Sequence, residues 1–131
     1  MPGEEARVFD RLERAFRRLN EALARPDDDT LALDASIQRF EFTIELFWKV
    51  MKRLLAREGV RTATPRETLE RAFQAGWLND EATWLEMLRA RNETSHAYDE
   101  ELALRIRAKV RAHLPELTRV LETLRGRCHQ P

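Results

Sequence analysis

Within eight residues the sequence Arg91-Asn92-Glu93-Thr94-Ser95-His96-Ala97-Tyr98 gathers a guanidinium, an imidazole and a phenol. An imidazole near its reference pKa can take or give a proton at neutral pH. A guanidinium offers fixed charge and paired N–H donors to a phosphate or carboxylate. A phenol is a hydroxyl open to modification. At 100° per residue, Arg91 and Ser95 stack one turn apart on a helix, and His96 lies about 140° round from Arg91. Asp99-Glu100-Glu101 reads as a cap followed by first-turn acids, so the stretch is expected at a helix C-terminus. There the helix dipole favours cations. Each residue has a plainer role when taken alone: Arg as a solvated charge, His as a surface or cap residue, Tyr as a packing residue.

The elements that must position these groups read as helices throughout. Glycine and proline are few and fall at punctuation points, and 43% of the 131 residues are hydrophobic. One domain over residues 1–131 is expected, with its core over about 5–125. Residues 4–24 carry one apolar face from Val8 to Leu23, closed by Arg25-Pro26-Asp27-Asp28-Asp29. The second helix, about 30–58, carries the lane Ile37, Phe40, Ile44, Phe47, Met51 and Leu54, with Trp48 beside it. A second lane of Phe42, Leu46 and Val50 makes it apolar on two sides, so one side is expected to face a second copy of the chain. Gly59 stops this helix. Thr64-Pro65-Arg66-Glu67 opens a short third one as a capping box, closed by Gly76.

A fourth helix from Asn79 or Asp80, with Trp84, Leu85 and Leu88 inward, delivers Arg91. A fifth runs from about 100 to 125, with an interruption expected at Pro115, an end at Gly126 and a frayed tail beyond. Helices with short connections give an all-α, four- to five-helix up-and-down bundle.

The formal net charge is zero, which argues against a general nucleic-acid coat. Twenty arginines stand against three lysines. The alternating Arg105, Arg107, Lys109 and Arg111 read as a solvated basic strip, with a local RNA-contact strip as the alternative. The one cysteine, Cys128, allows no internal disulfide and no Cys-type zinc site; no metal and no cofactor are expected. No signal peptide and no membrane-spanning run appear, so a cytoplasmic location is expected. Glu41, Glu45 and Lys49 follow one another at i, i+4 and i+8. They form either an ion-pair ladder or, through Glu41 or Lys49, part of the same cleft as Arg91.

Three segments together resemble the nucleotidyltransferase substrate-binding proteins of the HEPN superfamily. They are Ile37 to Lys49; Pro65-Arg66-Glu67 with Ala72-Phe73 and Gly76-Trp77; and Trp84 to Asp99. The resemblance spans about residues 5–125. It implies a homodimeric helical bundle that works with a separate minimal nucleotidyltransferase chain, often as a toxin–antitoxin pair. The HEPN member is then a metal-independent endoribonuclease whose R-x4-H residues, here Arg91 and His96, meet across the dimer cleft. In the R-x4-H-x-Y subgroup the partner transfers AMP to the tyrosine, here Tyr98. The resemblance includes Glu41 and Lys49 in the same cleft; read by their own chemistry, Asn92 either orients a phosphate or a cap or stays a helix-surface residue, and Ser95 either supports the site or only hydrogen-bonds its own turn. The alternative is a non-catalytic subunit that presents nucleotide or substrate to the transferase.

Overall fold

The computed structural model describes residues 3–96 and 99–129. These form α1 (Glu4–Leu23), α2 (Thr30–Arg57), α3 (Pro65–Gln74), α4 (Glu81–Glu93), a 3₁₀ turn (Thr94–His96) and α5 (Glu100–Cys128). Among the described residues there is no strand, and no helix is long and apolar enough to cross a membrane. The all-α bundle is as the periodicity requires.

Local chemistry sets the helix ends. The Asp29 carboxylate accepts the Ala32 N–H at 3.0 Å and starts α2. Thr64 Oγ1 accepts the Glu67 N–H at 3.1 Å, while Glu67 Oε1 reaches back to the Ala63 N–H at 2.7 Å. The reciprocal bond of this capping box therefore falls one residue before the cap. Gly59 and Gly76 have φ of +87° and +83°, where a side chain would be strained. Each lets the next N–H fold back, Val60 to the Leu55 carbonyl and Trp77 to that of Ala72. Asp99 caps α5 by accepting the Glu101 and Leu102 N–H groups.

α1 lies along α2, and the long α2 and α5 share the core with α4. Phe16, Phe47 and Trp84 meet edge-on at its centre, with ring centroids 6.2 and 5.0 Å apart. The Trp84 indole N–H donates to Glu116 Oε2 at 3.0 Å, which satisfies a buried polar atom and ties α4 to α5.

Several expectations change. α5 passes through Pro115 without interruption. The carbonyl that proline leaves without its helical partner belongs to Arg111, on the exposed side where water can serve it, while Val110 and Leu117 stay buried on either side. Gly126 does not end α5, because its φ is not positive and the buried Leu124 and Cys128 carry the helix onward. The tail through His129 is docked rather than frayed: Arg57 donates to the Arg127 carbonyl at 3.0 Å, and the Phe9 and His129 rings are 6.2 Å apart. Val50, assigned to the outer lane of α2, is fully buried, whereas Phe42 is 52% exposed. On α4 the buried residues are Thr83, Trp84, Met87 and Ala90, with Leu85 and Leu88 only half-buried.

The largest correction is Arg107. Instead of lying in a solvated strip, it is 2% exposed. Its guanidinium donates to the carbonyls of Ala22 (3.0 Å) and Arg25 (2.8 Å), to Asp27 (2.7 Å) and to Ser36 Oγ (3.2 Å). It thus closes the end of α1, the first loop and α2 onto α5. Arg111 adds a bond to the Leu23 carbonyl at 2.8 Å.

Candidate functional site

The site is built where the end of α4 meets the middle of α2. Asp80 starts α4, its carboxylate accepting from the Thr83 N–H at 3.2 Å and the Thr83 hydroxyl at 2.7 Å. These bonds hold the Asp80 carboxyl below its usual range, as the Ala32 N–H and Arg25 do for Asp29. Ala90 is buried against the core, which leaves the next residue, Arg91, turned toward α2 at the half-buried edge. Arg91 Nη2 meets Glu45 Oε1 at 2.5 Å, and its Nη1 donates to Asn92 Oδ1 at 3.3 Å. The pair is about one-third exposed, 29% and 37%, so its direct contribution to stability is no more than about 1 kcal/mol. Its larger effect is orientation, since it fixes a long side chain in one rotamer.

One turn further, the Thr94 hydroxyl lies between Glu41 Oε2, at 2.7 Å, and the Arg91 carbonyl, at 2.6 Å. Ser95 Oγ reaches the Asn92 carbonyl at 3.5 Å, a bond within its own turn. Glu41, Arg91, Asn92, Thr94 and Ser95 together line an open hollow of about 260 Å³. Four residues chosen from the sequence therefore share one place: Arg91, Asn92, Ser95 and Glu41. Lys49 does not; it lines a separate groove with Trp48, Lys52 and Arg53. The His96 backbone ends the 3₁₀ turn, but the His96 side chain and Tyr98 lie outside the described residues.

The i, i+4 spacing of Glu41 and Glu45 puts both carboxylates on one face of α2, and that face meets α4. Both therefore turn across to Thr94 and Arg91 rather than along the helix as a ladder to Lys49. Glu45 and Thr94 are the residues to which the sequence reading gives no role in the cleft. Their signal lies in the spacing of Glu45 after Glu41 and of Thr94 after Arg91. Electrostatically, among the described residues Glu41 and Arg91 line one chain's hollow and Glu45 pairs with that guanidinium, beside the carbonyl end of α4, whose dipole adds partial negative charge. Among the described residues the carboxylates outnumber the guanidinium, so a phosphate here would be held better with more positive charge brought in.

Residues 7–126 match the family described as nucleotidyltransferase substrate binding protein like. A probable ribonuclease HepT of Haemophilus influenzae is 38% identical over 104 residues, which cover 76% of this chain and 70% of that protein. A crystal structure from Thermus thermophilus superposes with a TM-score of 0.76 at 34% identity, over 91% of this chain and 99% of the other. A Haemophilus influenzae structure, described as revealing the fold of a substrate binding domain of a nucleotidyltransferase, gives a TM-score of 0.80. It is 29% identical and covers 89% of this chain and 98% of the other. With the family match spanning all five helices, this chain belongs to the nucleotidyltransferase substrate-binding family of the HEPN superfamily.

Proposed function

We propose that the protein is the ribonuclease toxin of a two-chain pair, acting as a homodimer and neutralised by a minimal nucleotidyltransferase. In this reading Arg91 and His96 from two copies of one helical domain share a cleft in which RNA is cut without a metal ion. The observation that carries it is the meeting of Arg91, Asn92 and Thr94 with Glu41 in one hollow, with Glu45 holding Arg91, on a helix that also presents an exposed apolar strip. Leu31, Ala35, Gln38 and Phe42 follow a three–four spacing on α2, and Leu31 and Phe42 are both exposed. That is the pattern of a helix seam that packs on its own copy. The same spacing continues to Glu45, which holds Arg91, so a partner seated on the strip would bring its own Arg91 and His96 toward this hollow. The added cations would reverse the negative balance of the single-chain hollow. The similarity to the probable ribonuclease HepT supports the same reading.

The chemistry is transesterification. One imidazole takes the proton of a ribose 2′-hydroxyl, the 2′-oxygen bonds to phosphorus, and the 5′-oxygen leaves with a proton from the second imidazole. The guanidiniums hold the equatorial oxygens as charge builds on them. The products are a 2′,3′-cyclic phosphate and a 5′-hydroxyl. The nucleotidyltransferase would silence the site by moving AMP from ATP to the Tyr98 phenol oxygen, with release of pyrophosphate; the added anion competes for Arg91.

A second reading, a non-catalytic subunit that presents substrate to the transferase, is favoured by the description of the Haemophilus influenzae substrate binding domain. Incubation of the purified protein with RNA in EDTA separates the two. Cleavage to cyclic-phosphate ends, abolished in both Arg91→Ala and His96→Ala, is the expected result. Intact RNA under all conditions supports the substrate-presenting subunit instead.

A further inference from the structure

A second charged surface starts one turn beyond the hollow. On α2 the positions 41, 45, 49, 52 and 56 lie within a sector of about 80°. The first two turn their carboxylates to α4, and the rest of the stripe opens into a groove against α1, of about 500 Å³. Its charged lining is Arg11, Lys49, Lys52 and Arg53, with no carboxylate among its lining residues. Arg53 is paired with Glu4 at 3.2 Å, an exposed and weak bridge. Among the described residues Arg11, Lys49 and Lys52 make no ion pair. Two of the chain's three lysines are in this one groove. Lysine is a hydrated point charge on a flexible stem and neutralises phosphates without demanding a fixed geometry.

The groove also has an aromatic wall. Trp48 is held by its indole N–H, which donates to Thr68 Oγ1 at 3.1 Å. Thr68 is itself fully buried, lies 2.6 Å from Thr62 Oγ1 and donates to the Thr64 carbonyl at 2.9 Å. The ring is therefore pre-oriented from its buried edge, and Lys52 Nζ sits 5.3 Å from its centroid over the face. Cations without a carboxylate partner beside a fixed indole are the two parts of a single-strand binding surface: charge for the backbone, and a ring whose face a base takes when the flexible Lys52 swings to a phosphate.

We propose that this groove binds the backbone of single-stranded RNA next to the cleavage site, with Lys49 and Lys52 neutralising phosphates and Trp48 stacking a base. Its role in cleavage rests on the ribonuclease reading; its binding of RNA does not. From Glu45, which holds Arg91, to Ala56 the stripe runs roughly 16 Å. A strand leaving the hollow along α2 meets Lys49 first, then Lys52 and Arg11.

The test measures anisotropy of a fluorescent single-stranded RNA with the dimer carrying His96→Ala, so that the probe is not consumed, and with Lys49→Ala and Lys52→Ala added. Thermal melts confirm that the variants are folded. Loss of two contacts flattens the plot of log affinity against log salt by about 1.4. The affinity ratio between the two proteins accordingly falls about 7-fold from about 50 to about 200 mM salt. RNA also quenches Trp48 fluorescence, and the quench is lost in Trp48→Phe. An unchanged slope overturns the proposal. So does a double variant that binds RNA normally but loses the nucleotidyltransferase chain, since the groove would then be a protein-docking face. The two readings fail separately. Wild-type protein that binds RNA through the lysines without cutting it removes the ribonuclease and keeps the groove. Cleavage with unchanged KM in Lys49→Ala/Lys52→Ala removes the groove and keeps the ribonuclease.

Discussion

Replacing Arg107 with leucine tests whether one buried guanidinium closes the bundle. Its side chain is 1% exposed and makes four hydrogen bonds. The Asp27 bond counts for little, because that carboxylate is 71% exposed and already well solvated. Three bonds to neutral acceptors remain, to Ala22, Arg25 and Ser36. A hydrogen bond from a charged donor is worth about 1.5–3 kcal/mol. Ser36 Oγ still donates to the Ala32 carbonyl at 2.7 Å, so it is not stranded. The two carbonyls lie at the end of α1 and in the first loop, where water recovers part of the loss. Leucine also refills some of the buried stem. The expected net loss is about 3 kcal/mol. Urea unfolding followed by circular dichroism, at one fixed protein concentration, measures it. The midpoint should fall with the slope unchanged. Asp27→Ala should cost less than about 1 kcal/mol. An Arg107→Leu protein within about 1 kcal/mol of wild type, or an Asp27→Ala protein that loses as much as Arg107→Leu, refutes this account of the closure.

Glu45→Ala should change stability by no more than about 1 kcal/mol; on the proposed ribonuclease reading it should also lower cleavage at least roughly tenfold, since Arg91 loses the carboxylate that aims it, and kcat and melting temperature measured on the same preparation check both. Asp29 and Asp80 have folded pKa values below the ordinary 3.8, held down by hydrogen bonds from the helix ends they cap. Depressed carboxyls stabilise the fold above pH 3.8, and that stability is lost as pH falls through the folded values. Urea midpoints should therefore drop on acidification below about pH 4, and less steeply in Asp29→Asn and Asp80→Asn. If the proposed dimer seats on the α2 strip, Phe42→Glu should give monomers by light scattering and lose cleavage with them; a dimer that keeps full activity would place the subunit interface elsewhere.

Much of the architecture is legible in short-range chemistry. Asp29, Thr64 with Glu67, Gly59, Gly76 and Asp99 each state a helix end in the residue that makes the bond. Such signals involve neighbours in sequence. Arg107 escapes them because its partners are 71 to 85 positions away, and charges at every second position mask the fact that it follows Ile106 on the core side of α5. Pro115 and Gly126 mislead for a related reason. A local breaker is set against burial of Val110, Leu117, Leu124 and Cys128 on other helices, and burial prevails. In the candidate site, Arg91 is legible by type and Glu45 is not. The bond between them spans 46 positions, and spacing along α2 describes only the ladder that does not form.

α4 is gripped by acidic side chains at its two ends. Glu116 of α5 takes the Trp84 indole N–H and the Asn79 N–H near its start, and Glu45 of α2 takes Arg91 at its finish. About two turns of helix, roughly 10 Å of rod from Trp84 to Arg91, connect these clamps. A push at one clamp therefore arrives at the other as axial sliding, with little bending to absorb it. Glu116→Gln, remote from the reacting groups, would then misplace the guanidinium. Combined with Glu45→Ala it should cost less turnover than the two separate losses multiplied together, because both act by freeing the same rod.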